Sequence, residues 1–137
     1  MRAVFVDTAY WIALLNPHDD LHEPARRVSA SLQAVRLVTS EAILVEWLND
    51  FARRGRHLRA AAAALIERLR VDPAVEVVPQ TSADFEEALR LYAERGDQSW
   101  SHTDCSSFSI MRRQGITEAL TYDRHFEQAG FQALLRS

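Results

Sequence analysis

Four carboxylates in this 137-residue chain stand where a fold could gather them: Asp7, Glu46, Asp104 and Asp123. Asp7 follows the apolar run Val4-Phe5-Val6, and Asp123 follows Ala119-Leu120-Thr121. Glu46 lies inside a helix-forming stretch and Asp104 opens another. Two unit charges about 4 Å apart repel by on the order of 4 kcal/mol at an effective dielectric near 20, so acids that converge call for a cation. An all-oxygen donor set suits Mg²⁺ or Mn²⁺. Such an ion polarises a phosphoryl oxygen and acidifies a water for attack on phosphorus. Each acid also has a plainer use. Asp7 could be solvated at a rim or cap a helix beginning near Tyr10, and Glu46 alone reads as a solvated helix residue. Asp104 can cap its own helix while binding metal, and Asp123 occupies a place where turns favour Asp.

These acids share one edge only if strands and helices alternate. Residues 2–6 read as a strand buried on both faces, which places Asp7 at its C-terminal end, where open α/β sheets keep their ligand sites. Asn16-Pro17-His18-Asp19-Asp20 is a turn, and Pro24 suits the first turn of a helix running to about Leu32. Leu37-Val38-Thr39 is a second strand, and Ser40 then caps a helix with Ile43, Leu44, Trp47, Leu48 and Phe51 on one face and Glu46 beside it. Arg53-Arg54-Gly55-Arg56 should end that helix, with Gly55 at the cap, before an Ala-rich helix over residues 57–69. Val75-Glu76-Val77-Val78 is a third strand. Thr81-Ser82-Ala83-Asp84 resembles a capping box ahead of a helix with Phe85, Leu89 and Tyr92 on one face, closed by Gly96. A helix over residues 105–113, a strand at residues 119–121 and a short edge strand at residues 131–135 complete the chain. The alternation predicts an α/β fold with a mostly parallel central sheet.

Composition narrows the chemistry. The chain has the length of one domain over residues 1–137, no apolar run near the ~20 residues a bilayer span needs, and an N-terminus that does not read as a signal peptide, so a cytoplasmic protein is expected. The one cysteine, Cys105, excludes an internal disulfide or a Cys-based zinc site and reads as a small buried hydrophobe. All 16 basic residues are Arg, which removes any chemistry that depends on Lys. The net charge of -3 decides nothing, because with four acids held in a metal site the remaining 15 face 16 Arg.

His18, His22, His57, His102 and His125 form no metal-binding pattern. Trp11 and Trp47 read as core, and Trp100 as a loop anchor. Asp97 could extend the acidic site or cap a loop, while Thr8 and Thr103 could orient the carboxylates beside them or serve equally well in local turns. Arg53, Arg54, Arg56 and Arg59 make the densest basic cluster, with Arg112 and Arg113 a second. Such groups contact phosphates when they are not simply solvated helix ends.

Val4-Phe5-Val6-Asp7-Thr8, Glu46 in its helix, Asp97 with Trp100-Ser101-His102-Thr103-Asp104-Cys105, and Leu120-Thr121-Tyr122-Asp123-Arg124-His125-Phe126 together resemble the PIN-domain ribonucleases, most closely the VapC-type toxins of toxin-antitoxin pairs. The resemblance runs end to end. It implies a PIN-like three-layer fold with about five strands, Mg²⁺- or Mn²⁺-dependent endonucleolytic cleavage of RNA, a homodimer, and a cognate antitoxin whose C-terminal segment crosses the acidic site. It makes Asp7 and Asp104 the principal ligands, Glu46 a third carboxylate that binds metal or orients water, and Asp123 a ligand that acts directly or through water. Tyr10, Trp11, Leu14 and Leu15 would then line the antitoxin groove or belong to the core. An aspartyl-phosphate phosphatase also begins with Asp after its first strand, but it needs a second Asp two residues on and a Lys; here Thr8 and Ala9 follow Asp7. A non-catalytic PIN-like acidic module that binds metal or protein is the other rival, and retention of all four acids counts against it.

Overall fold

The computed structural model describes residues 2–136. Its elements run β1 (Arg2–Val6), α1 (Thr8–Leu15), α2 (His22–Ser31), β2 (Val35–Ser40), α3 (Glu41–Phe51), α4 (Gly55–Val71), β3 (Val75–Val78), α5 (Ser82–Glu94), α6 (His102–Gln114), β4 (Glu118–Leu120), α7 (Arg124–Gln128) and β5 (Gln132–Ala133), followed by a 3-10 turn at Leu134–Arg136. The strands form one sheet in the order β3-β2-β1-β4-β5, and every pairing is parallel rather than mostly so. The chain builds outward from β1 to β3 on one side, then crosses back to place β4 and β5 on the other. The loops leaving β1 and β4 therefore diverge at the sheet's centre, the crevice in which α/β folds bind ligands. Asp7 and Asp123 lie on those two loops.

The centre is dry. Val4, Phe5 and Val6 of β1 are fully buried, as are Phe108 of α6 and Phe126 of α7, whose rings meet edge to face with centroids 5.0 Å apart. On the other flank Trp11 of α1 stacks on Trp47 of α3 at 5.6 Å, and among the described residues neither buried indole N–H has a hydrogen-bond partner. The two rings fix α1 against α3, the helices that carry Thr8 and Glu46. Tyr10 and Trp11 are core residues, and Leu14 and Leu15 pack against that core.

Several boundaries differ from expectation. β2 extends over Val35–Ser40 because its parallel partners β1 and β3 supply a ladder along its length. α1 starts at Thr8, directly after its cap Asp7. Gly55 opens α4 instead of capping α3, and its φ of +90° turns the chain between them. Thr81 caps α5 by accepting from the Asp84 amide at 3.1 Å. Among the described residues no reciprocal bond completes the box, and Asp84 pairs instead with Arg113 of α6 at 3.3 Å. Helix α7 was not anticipated at all. Phe85, Leu89 and Tyr92 share a face of α5 that the chain leaves about half exposed.

Candidate active site

Each acid is held by the backbone element that it begins or lies on. Asp7 caps α1: Oδ1 accepts from the Thr8 amide at 2.9 Å, while Oδ2 accepts from the Thr121 hydroxyl at 2.7 Å. The same Thr121 oxygen accepts from the Asp123 amide at 3.0 Å, so one hydroxyl ties the loop after β1 to the loop after β4. Glu46 leans from α3 to accept from the Thr8 hydroxyl at 2.6 Å. Asp104 completes a reciprocal capping box with Ser101 at the start of α6. Its amide donates to the Ser101 hydroxyl, and its Oδ2 accepts from the Ser101 amide, both at 3.0 Å. Asp123 caps α7 by accepting from the His125 amide at 2.9 Å.

Burial sets the electrostatics. Asp7 is 9% exposed, and desolvation pushes its carboxyl up from the ordinary 3.8 to about 7. The Thr121 and Thr8 hydrogen bonds oppose that rise, while the charges of Glu46 and Asp104 add to it. A buried acid facing two others is a site short of positive charge. The donor set, carboxylates with one imidazole nearby, fits a hard divalent cation.

The four predicted acids thus share the crevice, but in two groups. Asp104, Asp123 and His125 each offer one ligand atom, all within 4.8 Å of one another, whereas Asp7 and Glu46 join them through Thr121 and Thr8. His125, which the scattered spacing of the histidines does not single out, lies beside two of the acids: Nδ1 is 2.9 Å from Asp104 Oδ2 and 3.4 Å from Asp123 Oδ1. The available signal was the Asp-x-His spacing, since an Asp that bonds the amide two residues on brings that residue back toward its carboxylate. Thr121 was missed for a similar reason, standing two residues before Asp123 and at the end of a strand. The Thr8 hydroxyl, expected to orient a carboxylate, holds that of Glu46. Thr103 lines a neighbouring cleft with Val45 and His102. Asp97 stays outside the grouped ligand atoms, held by Nε and Nη2 of Arg95 at 2.9 and 3.0 Å, which lowers its pKa. Trp100 is a buried anchor whose indole donates to Gln128, and Cys105 is buried.

The basic clusters separate in the same way. Arg113 pairs with Asp84 and Glu87, and Arg112 lies over the Phe131 ring. Arg54 pairs with Asp50, and Arg59 donates to the Ala52 carbonyl. Arg53 and Arg56 are exposed and, among the described residues, make no ion pair.

The sheet order, the crevice and the acids around it define a nuclease-type PIN fold, and a PIN-domain family model matches residues 4–132: the chain belongs to the PIN-domain family. Its relatives within that family are of the VapC type. It is 37% identical over 128 residues to the 23S rRNA-specific endonuclease VapC20 of Mycobacterium tuberculosis, a match that covers 93% of this chain and 95% of that one. The crystal structure of VapC20, a Sarcin-Ricin loop cleaving toxin, superposes with a TM-score of 0.83 at 36% identity over 93% of this chain and 95% of the other. FitAcB from Neisseria gonorrhoeae shares the fold, with a TM-score of 0.66 at 20% identity over 95% of each chain.

Proposed function

We propose that this protein, a VapC-type endoribonuclease, cleaves the sarcin-ricin loop of 23S rRNA, works with Mg²⁺ or Mn²⁺ held by Asp7, Glu46, Asp104 and Asp123, and is a single PIN domain over residues 1–137. The observation that carries the metal reading is Asp7, a buried carboxyl raised to about 7 while facing Glu46 and Asp104. The target is carried over from VapC20, which matches 93% of this chain.

When bound, a divalent cation would neutralise charge on the scissile phosphate and acidify the attacking water. The protein's own residues prepare the place. Thr8 turns Glu46 toward Asp7. Thr121 sets the spacing between Asp7 and the Asp123 loop. The Ser101 amide and the His125 ring both lie against Asp104 Oδ2, which fixes that carboxylate at the start of α6. Arg53 and Arg56 are free to meet the RNA backbone.

The remaining partners follow from the same reading. Val45, Leu48, Phe85, Leu89 and Tyr92 are large apolar side chains exposed on α3 and α5, and a second copy of the chain is their proposed cover. A cognate antitoxin would insert a cation among the acids and relieve the same repulsion as the metal. The protein is proposed to act in the cytoplasm; no helix among the described residues is long and apolar enough to cross a membrane. The test is to treat intact ribosomes with the purified protein and Mn²⁺ and map new 23S rRNA ends by primer extension. A single cut in the sarcin-ricin loop is expected. Cuts elsewhere, or none there, would overturn the target.

A further inference from the structure

We propose that His125 is itself a metal ligand, through Nδ1, and that the crevice is a mixed nitrogen and oxygen site that prefers Mn²⁺ to Mg²⁺. This rests on the reading that the acids hold a divalent cation, and it names the ion that they and the imidazole would select.

The spacing fits a shared ion. Metal-ligand bonds of about 2.1 Å set at right angles place neighbouring ligand atoms about 3.0 Å apart, and opposite ones about 4.2 Å apart. His125 Nδ1 stands 2.9 Å from Asp104 Oδ2 and 3.4 Å from Asp123 Oδ1, and one ligand atom from each residue falls within 4.8 Å of the others. These separations allow the three atoms to share one ion.

The other ring nitrogen points the same way. Nε2 lies 3.3 Å from the Ser99 hydroxyl, which can accept a hydrogen bond from Nε2–H. Metal-binding histidines have such a partner on the nitrogen that does not bind, and it fixes the tautomer. With the hydrogen on Nε2, the Nδ1 lone pair faces two carboxylate oxygens, a repulsive set that a bound cation would relieve. Ring position is fixed as well: the His125 amide is bonded to Asp123, and the next residue, Phe126, is fully buried against Phe108.

Ligand chemistry then selects the ion. Mg²⁺ keeps oxygen ligands and water, whereas imidazole favours first-row transition metals. An imidazole in the set therefore raises Mn²⁺ affinity more than Mg²⁺ affinity.

The experiment uses full-length protein and Mn²⁺ alone, read by electron paramagnetic resonance with pulsed detection of nuclear couplings. Wild type, His125→Gln and Ser99→Ala are compared, each checked for an unchanged circular dichroism spectrum and melting profile. We expect a nitrogen coupling in wild type that changes isotope signature with ¹⁵N-histidine labelling and disappears in His125→Gln. Mn²⁺ affinity should fall at least the roughly tenfold that loss of an outer hydrogen-bond partner gives, with Mg²⁺ competition changed less. Ser99→Ala should keep the coupling and weaken binding. Mn²⁺ bound without nitrogen coupling, or with a coupling that survives in His125→Gln, would overturn the imidazole ligand and leave the acidic metal site standing. Absence of Mn²⁺ binding in wild type would overturn both.

Discussion

Replacing Asp7 with Asn should stabilise the metal-free protein, in a manner that depends on pH. The Asp7 carboxyl has an ordinary value of 3.8 and rises to about 7 on folding, chiefly through burial. Below 3.8 it is protonated in both states and has no effect. As pH climbs from there the unfolded chain ionises while the folded one does not, and the fold loses stability until the folded carboxyl also ionises near 7. Each unit is worth about 1.4 kcal/mol, so the loss levels off at roughly 4 kcal/mol. Asn keeps the side-chain size and an oxygen to accept from the Thr8 amide, but gives up the second oxygen that accepts from the Thr121 hydroxyl. That last effect is an offset which does not vary with pH, so the slope carries the test. Urea unfolding of wild type and Asp7→Asn in chelator, from pH 4 to 8, should show a gap that widens in favour of Asn and then stops near pH 7. Saturating Mn²⁺ should stabilise wild type by mass action and reverse the order at pH 8. A gap that does not change with pH in chelator would refute the reasoning.

Other substitutions test the supporting parts. Thr121→Val removes the hydroxyl that spans Asp7 and the Asp123 amide, and should lower metal affinity or cleavage by roughly 10- to 100-fold in a metal titration of activity. Charge reversal at Arg53 and Arg56 should weaken RNA binding and flatten its salt dependence, by a slope of about 0.7 for each single-strand phosphate no longer neutralised. Phe108→Ala opens a cavity where the rings of Trp100, Phe126 and Phe131 meet and should destabilise the fold by about 3–5 kcal/mol in chemical denaturation.

Most of this arrangement is legible in the sequence because strand and helix signals are local. β1 is an unbroken apolar run, and an acid at its end must lie at a sheet edge. The capping roles open to Asp7 and to Asp104 are present, and each carboxyl also faces the crevice. What the sequence hides depends on tertiary contact. Helix α7 has five residues, too few to show a hydrophobic period, and with it went the placement of His125. Nothing local distinguishes Arg113, neutralised across α5 and α6, from Arg53, which is not. The period in Phe85, Leu89 and Tyr92 marks an apolar face but not what covers it.

Whether these acids hold a metal that cleaves RNA is tested most directly on a labelled sarcin-ricin loop RNA. Wild type and Asp104→Asn are compared in Mn²⁺, Mg²⁺ and excess chelator, with Mn²⁺ binding to each followed by calorimetry. A metal site built on Asp104 predicts cutting at one place by wild type, only with metal, and loss of both cutting and tight Mn²⁺ binding in the variant. Equal cutting by the two proteins, or cutting that persists in chelator, would contradict it.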